Sequence, residues 1–402
     1  MKTHTHTVII GGGIIALTLA RELVAKGYQD ILIIEKESEV GMHASGRNSG
    51  VLHAGIYYAS DSLKARFCLS GNLKMQQYCE EHQLPLFHSG KIIVAKNESE
   101  LSTLDTLYER ATANGAKVTL LDKKELADIE PWAKTTEKAL YSHNTAVVDP
   151  KCIMENLYHE LLETKKVKFL FNTKFTGLKN RNVMTTNQGN IEFQFFINAA
   201  GAYADQVAHH FGLAKELRMI PFKGIYRKLR ADQAHRVKGN IYPVPNIHNP
   251  FLGVHFTKNS HGDVYAGPTA IPAFGRENYG LFSGINPEAF TILTKSIRLF
   301  FSNKKFRDVA LTEPKKYFAA PFYRAAKSLV KNLERDWLIP SSKAGIRPQL
   351  VNWKTKELVM DFLIEKTDNS IHLLNAISPA FTSSMAMSEY IMKKYHTQFN
   401  CE

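Results

Sequence analysis

The chain has 402 residues, 44% of them hydrophobic and 22% charged, with 51 Lys and Arg against 38 Asp and Glu, a formal charge of +13. This composition excludes a disordered or collagen-like chain, and about 150 residues per domain predicts two or three domains. No run of about 18 apolar residues occurs, so no transmembrane helix is expected, and residues 1–7 are too short and polar for a signal peptide. The four cysteines, Cys68, Cys79, Cys152 and Cys401, are scattered without metal spacing. That predicts free thiols, no metal and a reducing compartment such as the cytoplasm. The basic surface favours acidic metabolites, phosphates or anionic lipid. Nucleic acid is not expected, because no dense basic run with interleaved aromatics occurs.

In chain order, residues 7–10 are a β-branched apolar run and predict a buried strand. Gly11, Gly13 and Ala16 follow as G-x-G-x-x-A, residues 17–26 have helical spacing, and Gly27 stops the helix. Residues 31–34 form a second buried strand ending at Glu35. Gly11 allows the tight turn, Gly13 lets a pyrophosphate approach, and Ala16 keeps the helix close to the sheet. Glu35 can accept hydrogen bonds from ribose hydroxyls and disfavours a 2′-phosphate. A dinucleotide site is expected here.

Residues 41–58 (GMHASGRNSGVLHAGIYY) are too small, polar and glycine-rich for a third strand and suit close contact with a large ligand. Ser45, Asn48, Ser49, Gly50 and His53 in this segment resemble the loop under the flavin in the glutathione-reductase-type FAD fold, in its D-amino-acid-oxidase-like superfamily. Residues 195–203, with Ala200 and Gly201, resemble the second FAD-contacting turn of that superfamily. Residues 344–348 (AGIRP) resemble its substrate-arginine strand, and residues 375–384 its helix entry at the flavin pyrimidine edge. The resemblance implies FAD, held by Gly11, Gly13, Ile14, Ala16, Glu35, Lys36, Ser45, Arg47, Asn48, Ser49, Gly50, Ala200, Gly201, Ser378, Ala380, Thr382 and Ser383.

The segments SGRNSGVLHAGIYY, GKIIVA (90–95), PFKGIY (221–226), YPVPN (242–246), FLGVHFT (251–257) and GPTA with AFGRE (267–277) narrow the resemblance. They are similar to the L-2-hydroxyglutarate dehydrogenase/oxidase family, with Thr269 where Asn is usual and Asn278 where Gly is usual. The implied fold is α/β (α+β overall), a Rossmann-like FAD-binding domain interleaved with a mixed-sheet substrate domain. Residues 1–85, 146–220 and 341–402 are assigned to the first and 86–145 and 221–340 to the second. Within the second, residues 98–114 and 123–129 read as amphipathic helices. Leu293, Ile297 and Phe300 form a stripe among Lys295, Arg298, Lys304, Lys305 and Arg307. Such a helix either turns its stripe to the core, the commoner arrangement, or lies on the inner face of a membrane.

The implied reaction oxidises an α-hydroxy dicarboxylate to the keto acid, with a quinone or oxygen as final acceptor. Arg347 is the expected carboxylate clamp, since a guanidinium fork binds carboxylates bidentately. His53 is the first choice for the base and His255 the second. Arg276, Lys223 and Tyr226 are candidates for the distal carboxylate. The competing readings are a flavin amine oxidase using the same Arg347 and a flavoprotein whose FAD is structural.

Overall fold

The computed structural model describes residues 3–245, 251–281 and 283–399. The chain divides into two compact units, one of residues 1–47, 150–220 and 347–402, the other of residues 48–149 and 221–346. The two units interleave, and residues 48–85, 146–149 and 341–346, read from sequence as part of the first domain, fall in the second unit. Asn246 and Cys401 lie outside the described residues, and Cys68, Cys79 and Cys152 are free thiols.

Unit 1 is built on an eight-stranded sheet in the order Phe175–Asn180, Val183–Thr186, Gly189–Asn198, Thr3–Ile10, Ile31–Ile34, Val167–Leu170, with Ser370–Leu374 also on Gly189–Asn198 and Leu363–Lys366 beyond it. Pairing is parallel from Ser370–Leu374 through to Val167–Leu170 on that path, and the strand ends register as Ile34, Ile10 and Asn198. Parallel strands covered on both faces need apolar residues throughout, and all four residues of Ile31–Ile34 are buried. The helix Ile14–Ala25 packs against the C-terminal helix Ala380–Phe399 and against Pro150–Glu163. Where the first two helices meet, the Ser388 hydroxyl donates to Thr18 Oγ1 at 2.8 Å.

Unit 2 carries a nine-stranded mixed sheet in the order Ile271–Pro272, Leu217–Leu229, Val264–Gly267, His255–Lys258, Asn240–Pro243, Lys91–Val94, Ala139–Ser142, Val118–Leu121, with Leu338–Asn352 also on Leu217–Leu229. Alternate residues of one strand serve opposite cores. Ile92 and Val94 pack with Trp132, Phe256 and Phe322, while Ile93 packs with Leu104, Leu107 and Tyr242. The helices Leu101–Ala113 and Lys123–Ile129 lie within the two ranges read from sequence, and a capping box of Asp122 and Glu125 opens the second.

Two of the three stripe residues expected to face the core do not, and the third, Phe300, is half-buried. On the helix Glu288–Ser302 the buried side is Ile292 and Leu299, and Leu293 and Ile297 point outward together with Phe290 (75% exposed) and Phe301 (76% exposed). Helical spacing fixes which residues share a face, but not which face meets the rest of the fold.

Candidate active site

In unit 1 the first turn is shaped by two glycines and one carboxylate. Gly11 has φ +104°, and a Cβ there would stand 2.6 Å from the Ala199 carbonyl oxygen. Gly13 is the N-cap of the helix Ile14–Ala25 and brings no side chain over the first-turn N–H groups. Glu35 closes the turn: its Oε2 accepts from Gly12 N at 2.6 Å and its Oε1 from Glu37 N at 3.0 Å. The carboxylate read as a ribose acceptor is therefore also the brace of the glycine turn.

The residues that follow are drawn into local contacts. Ile14 N donates to Ser45 Oγ at 2.9 Å, and Arg47 Nε to the Met42 carbonyl at 2.8 Å. Lys36 pairs with Glu37 and approaches His43 Nε2 at 2.8 Å. The Lys36 hydrogen bond holds the Glu37 carboxyl below its usual range.

The second turn is held by a pair that sequence reading passed over. Asn198 accepts from Ala200 N at 3.2 Å, donates to the Ala204 carbonyl at 2.8 Å and meets His372 Nδ1 at 3.1 Å. His372 also meets Ser370 Oγ at 2.9 Å, and burial pushes its pKa down to about 4, so it is neutral. Gly201 (φ +54°) faces open space where a Cβ would lie.

At the start of the helix Ala380–Phe399, Ala380, Thr382 and Ser383 are buried and Ser378 is exposed. Ser383 Oγ is buried with no hydrogen-bond partner. Arg347, half-buried, lies on the strand Leu338–Asn352. Two positive-φ glycines at strand ends, a glycine N-cap that brings no side chain to the helix start and a buried hydroxyl without a hydrogen-bond partner fit a bound dinucleotide.

In unit 2, Gly50 N donates to Asn48 Oδ1 at 2.8 Å and Val51 N to Ser49 Oγ at 3.4 Å, which folds the loop back on itself. His53 is buried, and its backbone carbonyl accepts from Asn72 Nδ2 at 3.1 Å and from the Cys68 thiol at 3.3 Å. Asn72, wholly buried on the helix Leu63–Glu81, also donates to the carbonyls of Leu52 and Asn144, so it fixes the chain at His53.

His255 (5% exposed) meets the Gly253 carbonyl through Nδ1 at 2.8 Å. A carbonyl accepts only, so Nδ1 carries the proton and Nε2 the lone pair. The ring stacks on Tyr242 with centroids 3.7 Å apart, and burial pushes its pKa down to about 3.

The distal-carboxylate candidates are occupied differently from expectation. Arg276 (3% exposed) is committed to Glu288, with Nε 3.0 and 3.1 Å from its two oxygens and Nη2 at 2.9 Å. Lys223 Nζ donates to Asn278 Oδ1 at 3.1 Å and to the Gly280 carbonyl at 2.7 Å. The buried ring of Tyr226 lies 5.4 Å from Lys343 Nζ. Sequence reading gave no role to Lys91, although a lysine opening the apolar run Ile92–Val94 was a visible signal. It is fully buried beside Tyr57 and Tyr242.

The family model described as "FAD dependent oxidoreductase" (DAO) matches residues 6–393. The chain is similar to the mitochondrial L-2-hydroxyglutarate dehydrogenase of Nematostella vectensis, at 34% identity over 98% of this chain and 91% of that protein. It is similar also to the L-2-hydroxyglutarate dehydrogenase of Indibacter alkaliphilus, at 34% over 96% of this chain and 99% of that one. Among solved structures it resembles the FAD-bound L-α-glycerophosphate oxidase of Mycoplasma pneumoniae, with a TM-score of 0.75, 24% identity, and coverage of 99% of this chain and 95% of that one.

Proposed function

We propose that this chain, which belongs to the DAO family of FAD-dependent oxidoreductases and within it to the family of the L-2-hydroxyglutarate dehydrogenases, oxidises L-2-hydroxyglutarate or a close L-2-hydroxy acid to the 2-keto acid. The observation that carries this reading is the likeness to those dehydrogenases over nearly the full length of both proteins. FAD, when bound, supplies the acceptor for the hydride that leaves the substrate Cα. In this reading Gly11, Gly13, Ile14, Ala16, Glu35, Lys36, Ser45, Arg47, Asn48, Ser49 and Gly50 hold it, with Ala200, Gly201, Ser378, Ala380, Thr382 and Ser383.

The protein's own work is to bind, orient and take a proton. Arg347 clamps the carboxylate next to the carbinol carbon, because its fork matches two oxygens and fixes the plane of the substrate. His53 takes the hydroxyl proton in this reading. His255 is the alternative base: its hydrogen bond to Gly253 leaves the Nε2 lone pair free, but burial holds its pKa near 3 and so opposes the imidazolium that proton transfer would create. Single substitutions separate the two.

Anaerobic mixing of the flavin-loaded protein with hydroxy and amino acids tests the reaction. Faster flavin bleaching by L-2-hydroxyglutarate than by L-lactate or glycine supports it. Bleaching by amino acids alone points instead to the amine oxidase.

We assign the electrons that leave the flavin to a membrane quinone, with oxygen as the alternative. The support is a basic, aromatic surface of unit 2. Phe290, Leu293, Ile297 and Phe301 project from one helix, Phe318 (69% exposed) follows it in the chain, and Arg298, Lys304, Lys305 and Lys315 are exposed in the same stretch of residues 288–318. An apolar groove of about 390 Å³ runs between Phe274, Leu293, Tyr317 and Phe318. Exposed aromatics within a basic rim suit an anionic bilayer. Flotation with anionic but not neutral vesicles is the expected result, and no flotation with either removes the assignment.

A further inference from the structure

We propose that Lys91 Nζ and Tyr57 Oη form a buried carboxylate subsite in unit 2, and that it takes the second carboxylate of a dicarboxylic hydroxy acid. The proposal rests on the reaction reading above and extends it to the residues that select a dicarboxylate.

Lys91 opens the strand Lys91–Val94 and shares a sheet face with Ile93. It is 1% exposed, and its ammonium has no hydrogen-bond partner. The Tyr57 hydroxyl is likewise buried without one. Nζ lies 4.6 Å from the centre of the Tyr57 ring and 5.2 Å from that of Tyr242, whose other neighbour is the His255 imidazole. A buried ammonium is costly unless it is paired. Aromatic faces offset part of that cost but occupy none of its N–H donors. Three donors on Nζ and one on Oη are thus unspent, and a carboxylate offers two oxygens with about four lone-pair sites. The rival cations, Arg276 and Lys223, each already spend donors inside the protein, on Glu288 and on Asn278 and Gly280 respectively.

The neighbours supply no counter-charge of their own. Around Lys91 stand Tyr57, Cys68 on the helix Leu63–Glu81 with Lys64 near it, Tyr242 and His255. Burial raises the Tyr57 and Tyr242 hydroxyls, pushes the Cys68 thiol up to about 12 and pushes His255 down to about 3. All four are neutral at pH 8. Burial also pushes Lys91 down to about 7, against a weaker opposing effect of Cys68. An arriving carboxylate restores the ammonium, so binding takes up a proton.

The test uses the flavin-loaded protein and glutarate, a dicarboxylate with no hydroxyl to oxidise, titrated calorimetrically at pH 8 in buffers of different ionisation enthalpy. A group with a pKa of about 7 is about one-tenth protonated at pH 8, so the native protein should take up close to one proton per glutarate. Lys91→Met, which keeps the side-chain length, should take up none and bind glutarate about ten- to a hundredfold more weakly, while butyrate binding stays within about twofold. Tyr57→Phe should retain the proton uptake and lose about two- to tenfold in affinity, which keeps the proposal testable if the first variant folds poorly. Native binding without proton uptake, or unchanged glutarate affinity in both variants, overturns the subsite. If glutarate binds with proton uptake but L-2-hydroxyglutarate does not bleach the flavin, the reaction reading fails and the subsite stands.

Discussion

Gly11→Ala and Gly13→Ala lie two residues apart in one turn, yet the structure assigns them different failures. At Gly11 a methyl group meets a fixed backbone oxygen, Ala199 O at 2.6 Å, on a residue whose φ is +104°. The oxygen cannot retreat freely, because Ala199 N is bonded to the Ile10 carbonyl at 3.1 Å. Left-handed strain outside the region open to alanine costs about 1–3 kcal/mol. Overpacking against backbone adds about 1–3 kcal/mol. Gly11→Ala should therefore lower the thermal midpoint of the flavin-free protein by on the order of 10 °C, taking about 2–4 °C per kcal/mol for a unit of this size.

At Gly13 the backbone is ordinary extended, φ −88° and ψ 174°, and the methyl group meets only Ser45 Oγ at 3.1 Å. A hydroxyl on a rotatable side chain can move aside at the cost of its hydrogen bond from Ile14 N, about 0.5–1.5 kcal/mol, so the flavin-free protein should keep its midpoint within about 6 °C. The added carbon fills the place where a phosphate would approach the helix N-terminus. FAD affinity should fall at least about tenfold, about 1.4 kcal/mol. The assay is thermal unfolding with and without excess FAD, together with the flavin-to-protein absorbance ratio. A native midpoint in Gly11→Ala, or equal melting losses in the two variants, would refute the argument.

Arg276→Ala should lose about 1–4 kcal/mol in denaturant unfolding, because it removes a buried side chain and leaves the half-buried Glu288 without that partner, and its preference for hydroxyglutarate over lactate should stay native. Native stability with lost preference would return Arg276 to the substrate. His53→Ala should slow flavin reduction by on the order of 10²–10⁴, with a smaller loss in His255→Ala; the reverse order in stopped-flow identifies His255 as the base. Since burial keeps His255 neutral above about pH 3, an acid limb between about pH 5 and 7 in kcat/KM would not come from it. Lys91 has a folded pKa below its free value, and the charged, carboxylate-binding form prevails only below about 7. So kcat/KM should fall about tenfold per pH unit above about 7, and Lys91→Met should abolish that limb. An alkaline limb unchanged in the variant assigns it to another group.

The nucleotide-binding start was legible in the sequence because its determinants are local. β-Branched runs, a glycine turn and a carboxylate at the strand end follow one another within residues 7–35, and each acts on its own neighbourhood. The helices at Leu101–Ala113 and Lys123–Ile129 were legible for the same reason, through periodicity. The roles of charged side chains were not. Arg276 and Lys223 were candidates for the distal carboxylate, and the sequence did not show that Arg276 pairs with Glu288 on the next helix or that Lys223, on its strand, donates to Asn278 and Gly280.

The outward turn of Leu293 and Ile297 depended on which side of Glu288–Ser302 the rest of unit 2 covered. Sequence reading did not single out Lys91, which Tyr57 and Tyr242 meet from elsewhere in the chain. Local propensity and periodicity are properties of neighbours in the chain, so the sequence alone determined the elements and the glycine turn. Desolvation and charge pairing are properties of neighbours in space, so only the tertiary structure decided which cations are spent and which ammonium is buried without a partner.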